Sequence, residues 1–139
     1  LHLCDRRQRQ MCIRDRNKVH DSSLTEHIEL LRFMKSNRKA YLALIRTGQF
    51  LDYLIDKSLL IFDSNEMSYR MLKKEYKSAY ETMVQYSCAG TVQTIRLFLE
   101  DKLELTTAEV ATLLYNTQEA TYHVLLDFQN EKIKRLKIT

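Results

Sequence analysis

The chain has 139 residues, with 22 lysines and arginines against 18 aspartates and glutamates, no proline, and only two glycines, Gly48 and Gly90. A length of this order suits one domain with a real core. The scarcity of turn residues excludes an all-β domain, and no apolar run approaches the roughly 20 residues of a membrane-spanning helix.

Residues 1–16 stand apart. Back-translated, Gln10 to Asp15 fits CAG ATG TGT ATA AGA GAC, with AG opening Arg16. That resembles one reading frame of the transposon end used as an adapter in DNA library preparation. The Arg7-Gln8-Arg9-Gln10 stretch matches the tandem AGACAG with which that end finishes. The expectation is a non-native, disordered segment 1–16, with the true chain as a single domain over 17–139. The alternative is a basic arm that touches nucleic acid. The segment holds five arginines and two aspartates, so without it the totals fall to 17 and 16, a net charge of +1 in place of +4. The basic balance therefore says little about partners. Cys4 and Cys12 leave with the segment, and Cys88 alone makes no internal disulfide, which together with the lack of a signal-peptide pattern predicts a cytoplasmic protein.

Helical periodicity begins with Leu24, Ile28, Leu31 and Met34. Ser23-Leu24-Thr25-Glu26 fits a capping box that would start this helix. Asn37 is placed to cap a short helix from Arg38 to about Thr47, stopped by Gly48. A third helix, near Gln49 to Phe62, carries Phe50, Leu51, Leu54, Ile55, Ser58 and Leu59. Asp63-Ser64-Asn65-Glu66 reads as a turn. The fourth helix is expected from about Glu66 to Lys102 unless it breaks near Gly90, with Tyr76, Tyr80, Met83 and Ser87 at helical spacing. Thr106-Thr107-Ala108-Glu109 is a second capping box, opening a fifth helix that runs to at least Phe128. The basic tail from Gln129, with Lys132, Lys134, Arg135 and Lys137, either prolongs that helix, its cations suiting the negative end of the dipole, or frays. The predicted fold is an all-α helical bundle.

The last two helices are apolar on more than one side. On the fifth, Val110, Leu113, Thr117, Ala120, Val124 and Phe128 form one stripe, and Leu114, Tyr115, Tyr122, Leu125 and Leu126 a second. On the fourth, Val84, Cys88, Val92, Ile95 and Leu99 lie on one side, and small Ser87, Gly90, Thr91 and Thr94 on another. A helix apolar on two faces must be covered on both. Either both helices are central in a monomeric bundle, or they form a four-helix interface in a symmetric homodimer. The interface reading places Gly90, Thr94, Phe98, Leu114, Tyr115 and Tyr122 at the contact.

Several local patterns resemble the C-terminal domain of bacterial TetR-type transcriptional regulators. His27 to Tyr41, with its Lys35-Ser36-Asn37-Arg38 junction between helices, is similar to the family's approach into the effector domain. Tyr86 to Lys102, an Ala89-Gly90 pair followed by an apolar helix and a short charged loop, is similar to its penultimate helix, and Thr106 to Ala111 to the start of its last one. The likeness covers roughly residues 22–128, and Phe98 departs from the tryptophan common near that place. The resemblance implies a dimeric regulator in which an effector bound in the helical domain moves N-terminal helix-turn-helix heads on operator DNA. No such head fits before Ser22, so the expectation is a truncated regulator, touching operator DNA only through the missing domain.

Candidate residues for an effector pocket are Phe33, Tyr41, Leu44, Tyr53, Tyr76, Tyr80 and Met83. Aromatic and methionine side chains supply an apolar wall and tyrosine hydroxyls can orient a ligand; plain core packing is the alternative for each. The inventory favours a small apolar or amphipathic effector, since no Gly-rich phosphate loop is present. Catalysis is not expected: His20, His27 and His123 have no partner at metal-ligand spacing, and Cys88 has no basic activator and reads as a buried thiol. Glu75, Glu81, Glu100, Asp101 and Glu104 read as solvated charges. No cofactor or membrane partner is implied. A helical adaptor that binds a partner protein through its last helix is the second functional expectation.

Overall fold

A computed structural model describes residues 23–65 and 76–138. The expected adapter-derived segment 1–16, His20 and Glu75 lie outside them. The described residues form five α-helices and no strand: α1 over 23–36, α2 Arg38–Arg46, α3 Gln49–Asn65, α4 Lys77–Leu99 and α5 Thr107–Ile138.

The helix ends show how local chemistry divides the chain. Residue 23 is already helical, its carbonyl accepting from His27 Nδ1 at 2.6 Å, so Ser23 is not the expected cap. Asn37 does occupy the position before α2, but its side chain turns the other way: Nδ2 donates to the Phe33 carbonyl at 3.0 Å. It closes α1, whose last carbonyls lack intrahelical donors, rather than opening α2. Gly48, at φ +79°, ends α2 in the left-handed conformation that only glycine adopts without strain.

Helix α3 continues through Asn65, so Asp63-Ser64-Asn65 is helix and not the expected turn. Tyr76 is non-helical and stands at the start of α4, so one helix from Glu66 to Lys102 is excluded. Gly90 causes no break. Helix α4 ends in a Schellman arrangement, with the Lys102 amide donating to the Leu97 carbonyl and the Asp101 amide to Phe98, while Asp101 takes the left-handed position at φ 55°. The predicted capping box at the start of α5 is present. The Glu109 amide donates to Thr106 Oγ1 at 3.2 Å, and Glu109 Oε1 accepts from the Thr106 amide at 3.1 Å. The tail prolongs α5 to Ile138.

Two core clusters share α4 and α5. In the first, Leu31 and Met34 of α1 and Leu42 of α2 meet Ile95, Phe98 and Leu99 of α4 and Val110, Ala111 and Leu114 of α5. In the second, Tyr80, Val84 and Cys88 of α4 meet Leu125 of α5, with Leu51, Leu54, Ile55 and Leu59 of α3 packed against them. Asp101 ties the two halves of the first cluster from outside, bonding Lys35 at 2.9 Å and Arg38 at 3.0 Å, and the Lys35 ammonium lies 4.5 Å from the centre of the Phe98 ring. These bonds and the nearby cations hold the Asp101 carboxyl below its ordinary pKa.

Candidate ligand cleft and the outer face of the long helices

A cleft of about 150 Å³ opens in the second cluster. Its floor is buried and mostly apolar: Tyr80, Val84 and Cys88 of α4 with Leu125 of α5. Leu54 and Ser58 of α3 close one wall. The remaining lining residues, Ser87 and Thr91 of α4 and Gln118 and Thr121 of α5, are polar and reach solvent. Among the described residues none that lines it carries a formal charge. Two long helices normally fill the space between them with branched apolar side chains; here Ser87, Thr91, Gln118 and Thr121 stand along the seam and leave the volume empty. Cys88 Sγ lies 3.4 Å from Ser58 Oγ, and burial pushes the thiol's pKa up while that contact pulls it down by less. A thiol held protonated in this way is a weak nucleophile.

Of the seven residues expected around a pocket, Tyr80 alone lines this cleft. Met83 lines a more open groove between the start of α4 and α5, facing Val124, Leu125 and Phe128. Tyr76 stacks edge-on against Phe128, 6.0 Å between ring centres, beside the same cluster. Phe33 and Tyr41 belong to the other half of the molecule, where Phe33, Tyr41 and Phe50 form a run of edge-to-face rings 6.3 and 6.2 Å apart. Phe33 and Tyr53 are each 57% exposed and Leu44 is also exposed, so among the described residues these three enclose no pocket. Sequence spacing puts Tyr53, Tyr80 and Met83 on helices that border the cleft and Phe33, Tyr41 and Leu44 on two that do not, and it could not say which end of the bundle each faced. The Ser58, Ser87 and Thr91 positions carried the available signal, small polar residues beside or within apolar stripes.

The expected interface residues also divide. Phe98 and Leu114 are buried in the first core cluster, and Tyr115 packs edge-on against His27 of α1. Those three serve the chain's own packing. Gly90 is exposed, and a Cβ built there meets nothing within 4 Å. Thr94 is half-buried, with its hydroxyl donated to the Gly90 carbonyl, and Tyr122, also half-buried, contacts the ring of His123. On α5 the exposed apolar stripe is the other one: Leu113, Thr117, Ala120, Val124 and Phe128, with Leu113 51% and Val124 49% exposed. No charged residue occurs from Thr82 to Ile95, nearly four turns of α4, and Glu119 is the only one from Val110 to Leu126.

Among the described residues no three His, Cys, Asp or Glu side chains converge as a metal site would require, and no helix is long and apolar enough to cross a membrane. No protein-family model, no curated protein and no solved structure matches the chain.

Proposed function

We propose that this chain serves as the effector-binding and dimerisation domain of a TetR-type transcriptional regulator, with operator DNA read by a separate helix-turn-helix head. The observation that carries the reading is a double use of one helix pair. Helices α4 and α5 form both the seam of an uncharged cleft and a nearly uncharged outer face. A ligand in the cleft and a second copy on the face would then act on the same two helices, the coupling a ligand-controlled dimer needs.

The uncharged stretch of α4, Thr82 to Ile95, is 14 residues, hence about 21 Å long, and two helices side by side span about 20 Å. That is roughly 420 Å² per protomer, about half of the ~800 Å² of a standard interface, so the charged ends of both helices would form its rim. Sedimentation equilibrium of the full chain is expected to give a dimer, and Val124→Glu, which puts a carboxylate in the exposed stripe, a monomer with unchanged helical circular dichroism. A wild-type monomer at about 50 μM, well above the Kd of about 1 μM that −8.2 kcal/mol represents, would sink the reading. The exposed stripe of α5 by itself also suits a partner protein's helix, the adaptor reading, and a monomer that binds no small molecule would select it.

A further inference from the structure

Resting on the effector-binding reading, we propose that the cleft between α3, α4 and α5 takes an uncharged single-ring molecule bearing a hydroxyl or carbonyl group, its ring on the floor and its polar group at the α4–α5 seam. Size sets the first limit: a cavity of about 150 Å³ is the scale that admits one benzene ring. Charge sets the second. Among the described residues none of those lining the cleft is acidic or basic, and a carboxylate, amine or phosphate brought against Tyr80, Val84 and Leu125 would lose its hydration with no counter-charge from them in return.

Polarity sets the third. The lining changes from apolar and buried at Val84 and Leu125 to hydroxyl and carboxamide at Ser87, Thr91 and Gln118. Most helical threonines nearby spend their hydroxyl hydrogen on their own helix: Thr82, Thr94, Thr117 and Thr121 each donate to the carbonyl four residues back. Thr91 and Ser87 do not; among the described residues no protein group engages their hydroxyls or the Gln118 carboxamide. Three groups that both donate and accept therefore stand at the mouth of an apolar floor. A plain hydrocarbon would fill the floor and leave them unused, whereas a phenol-like or carbonyl-bearing ring satisfies both zones.

The test is fluorine NMR on the full chain with 4-fluorophenol, fluorobenzene and 4-fluorobenzoate as probes. Saturable broadening is expected for 4-fluorophenol, weaker for fluorobenzene, and absent for the benzoate. Thr91→Val, which keeps the shape and removes the hydroxyl, is expected to weaken 4-fluorophenol by about two- to tenfold, one neutral hydrogen bond's worth, and to leave fluorobenzene unchanged. Ser87→Leu fills the seam from its solvent side and is expected to abolish both ring probes with circular dichroism intact. Benzoate binding as tightly as the phenol, or a phenol preference untouched by Thr91→Val, overturns the ligand class. A chain that sediments as a dimer but binds no ring probe overturns this inference alone; a monomer that binds none overturns the function above as well.

Discussion

The two glycines of the chain make a test of opposite signs. Gly90 lies inside α4 with helical backbone, and a Cβ there meets nothing within 4 Å. Gly90→Ala should therefore stabilise the isolated protomer by about 0.5–1 kcal/mol, the helix-propensity difference plus the reduced freedom of the unfolded chain. Gly48 has equally open space around its Cβ position, but its φ is +79°. Alanine there incurs about 1–2 kcal/mol of left-handed strain, offset by about 0.4–1 kcal/mol from the unfolded state, a net loss near 1 kcal/mol. Urea unfolding followed by circular dichroism, at matched protein concentrations, measures both. Shifts of the same sign in dilute protein would refute the reasoning, because space is equivalent at the two sites and only φ differs. The concentration series adds a second reading. A second copy seated on the uncharged face brings another helix toward Gly90, so the gain from Gly90→Ala should shrink or reverse as protein concentration rises.

Other expectations test the core, the surface clamp and the thiol. Leu99 is fully buried where α1, α2, α4 and α5 converge, so Leu99→Ala should lose about 2–5 kcal/mol in urea unfolding; a loss below about 1 kcal/mol would mean the cluster is not packed as described. Asp101 is held below its ordinary pKa by the hydrogen bond from Lys35, by that cation's charge, and by Arg38. A depressed folded pKa stabilises at pH values above the unfolded pKa of about 4 and loses that contribution as pH falls through the folded value. Asp101→Asn tolerates the left-handed backbone but does not titrate. The drop in unfolding midpoint between pH 7 and pH 3 should therefore be smaller than in wild type, and an unchanged drop would remove the clamp from the account. Cys88 lies on the cleft floor, and desolvation raises its pKa, so iodoacetamide should label it much more slowly in native protein near neutral pH than in urea. Native labelling as fast as in urea would contradict the protonated thiol.

Where sequence and structure agree, the signal is local. Thr106 and Glu109 bond each other's amides because their spacing of three matches the first turn of a helix, and Gly48 stops α2 because no other residue takes its φ cheaply. The absence of proline and the helical spacing of apolar residues were enough for an all-helical chain. Asn37 differs from its expected role for a physical reason: the same amide can close one helix or open the next, and both options lie within its reach.

Which stripe faces which neighbour was a different kind of question. Helix α5 carries two apolar stripes, and periodicity treats them alike. Only the placement of α1 and α4 shows that Leu114 and Leu125 are buried while Leu113 and Val124 are left at the surface. The same holds for the cleft. Ser58, Ser87, Thr91 and Gln118 sit on three helices and are separated by up to 60 positions in the chain. Their volumes fall short of filling the seam, and that shortfall exists only once the helices are packed. Sequence by itself determined an all-helical chain and the helix ends at Gly48 and Thr106, because capping and periodicity act within one or two turns. Tertiary structure decided the cleft and the free face, because each depends on side chains that meet only across helices.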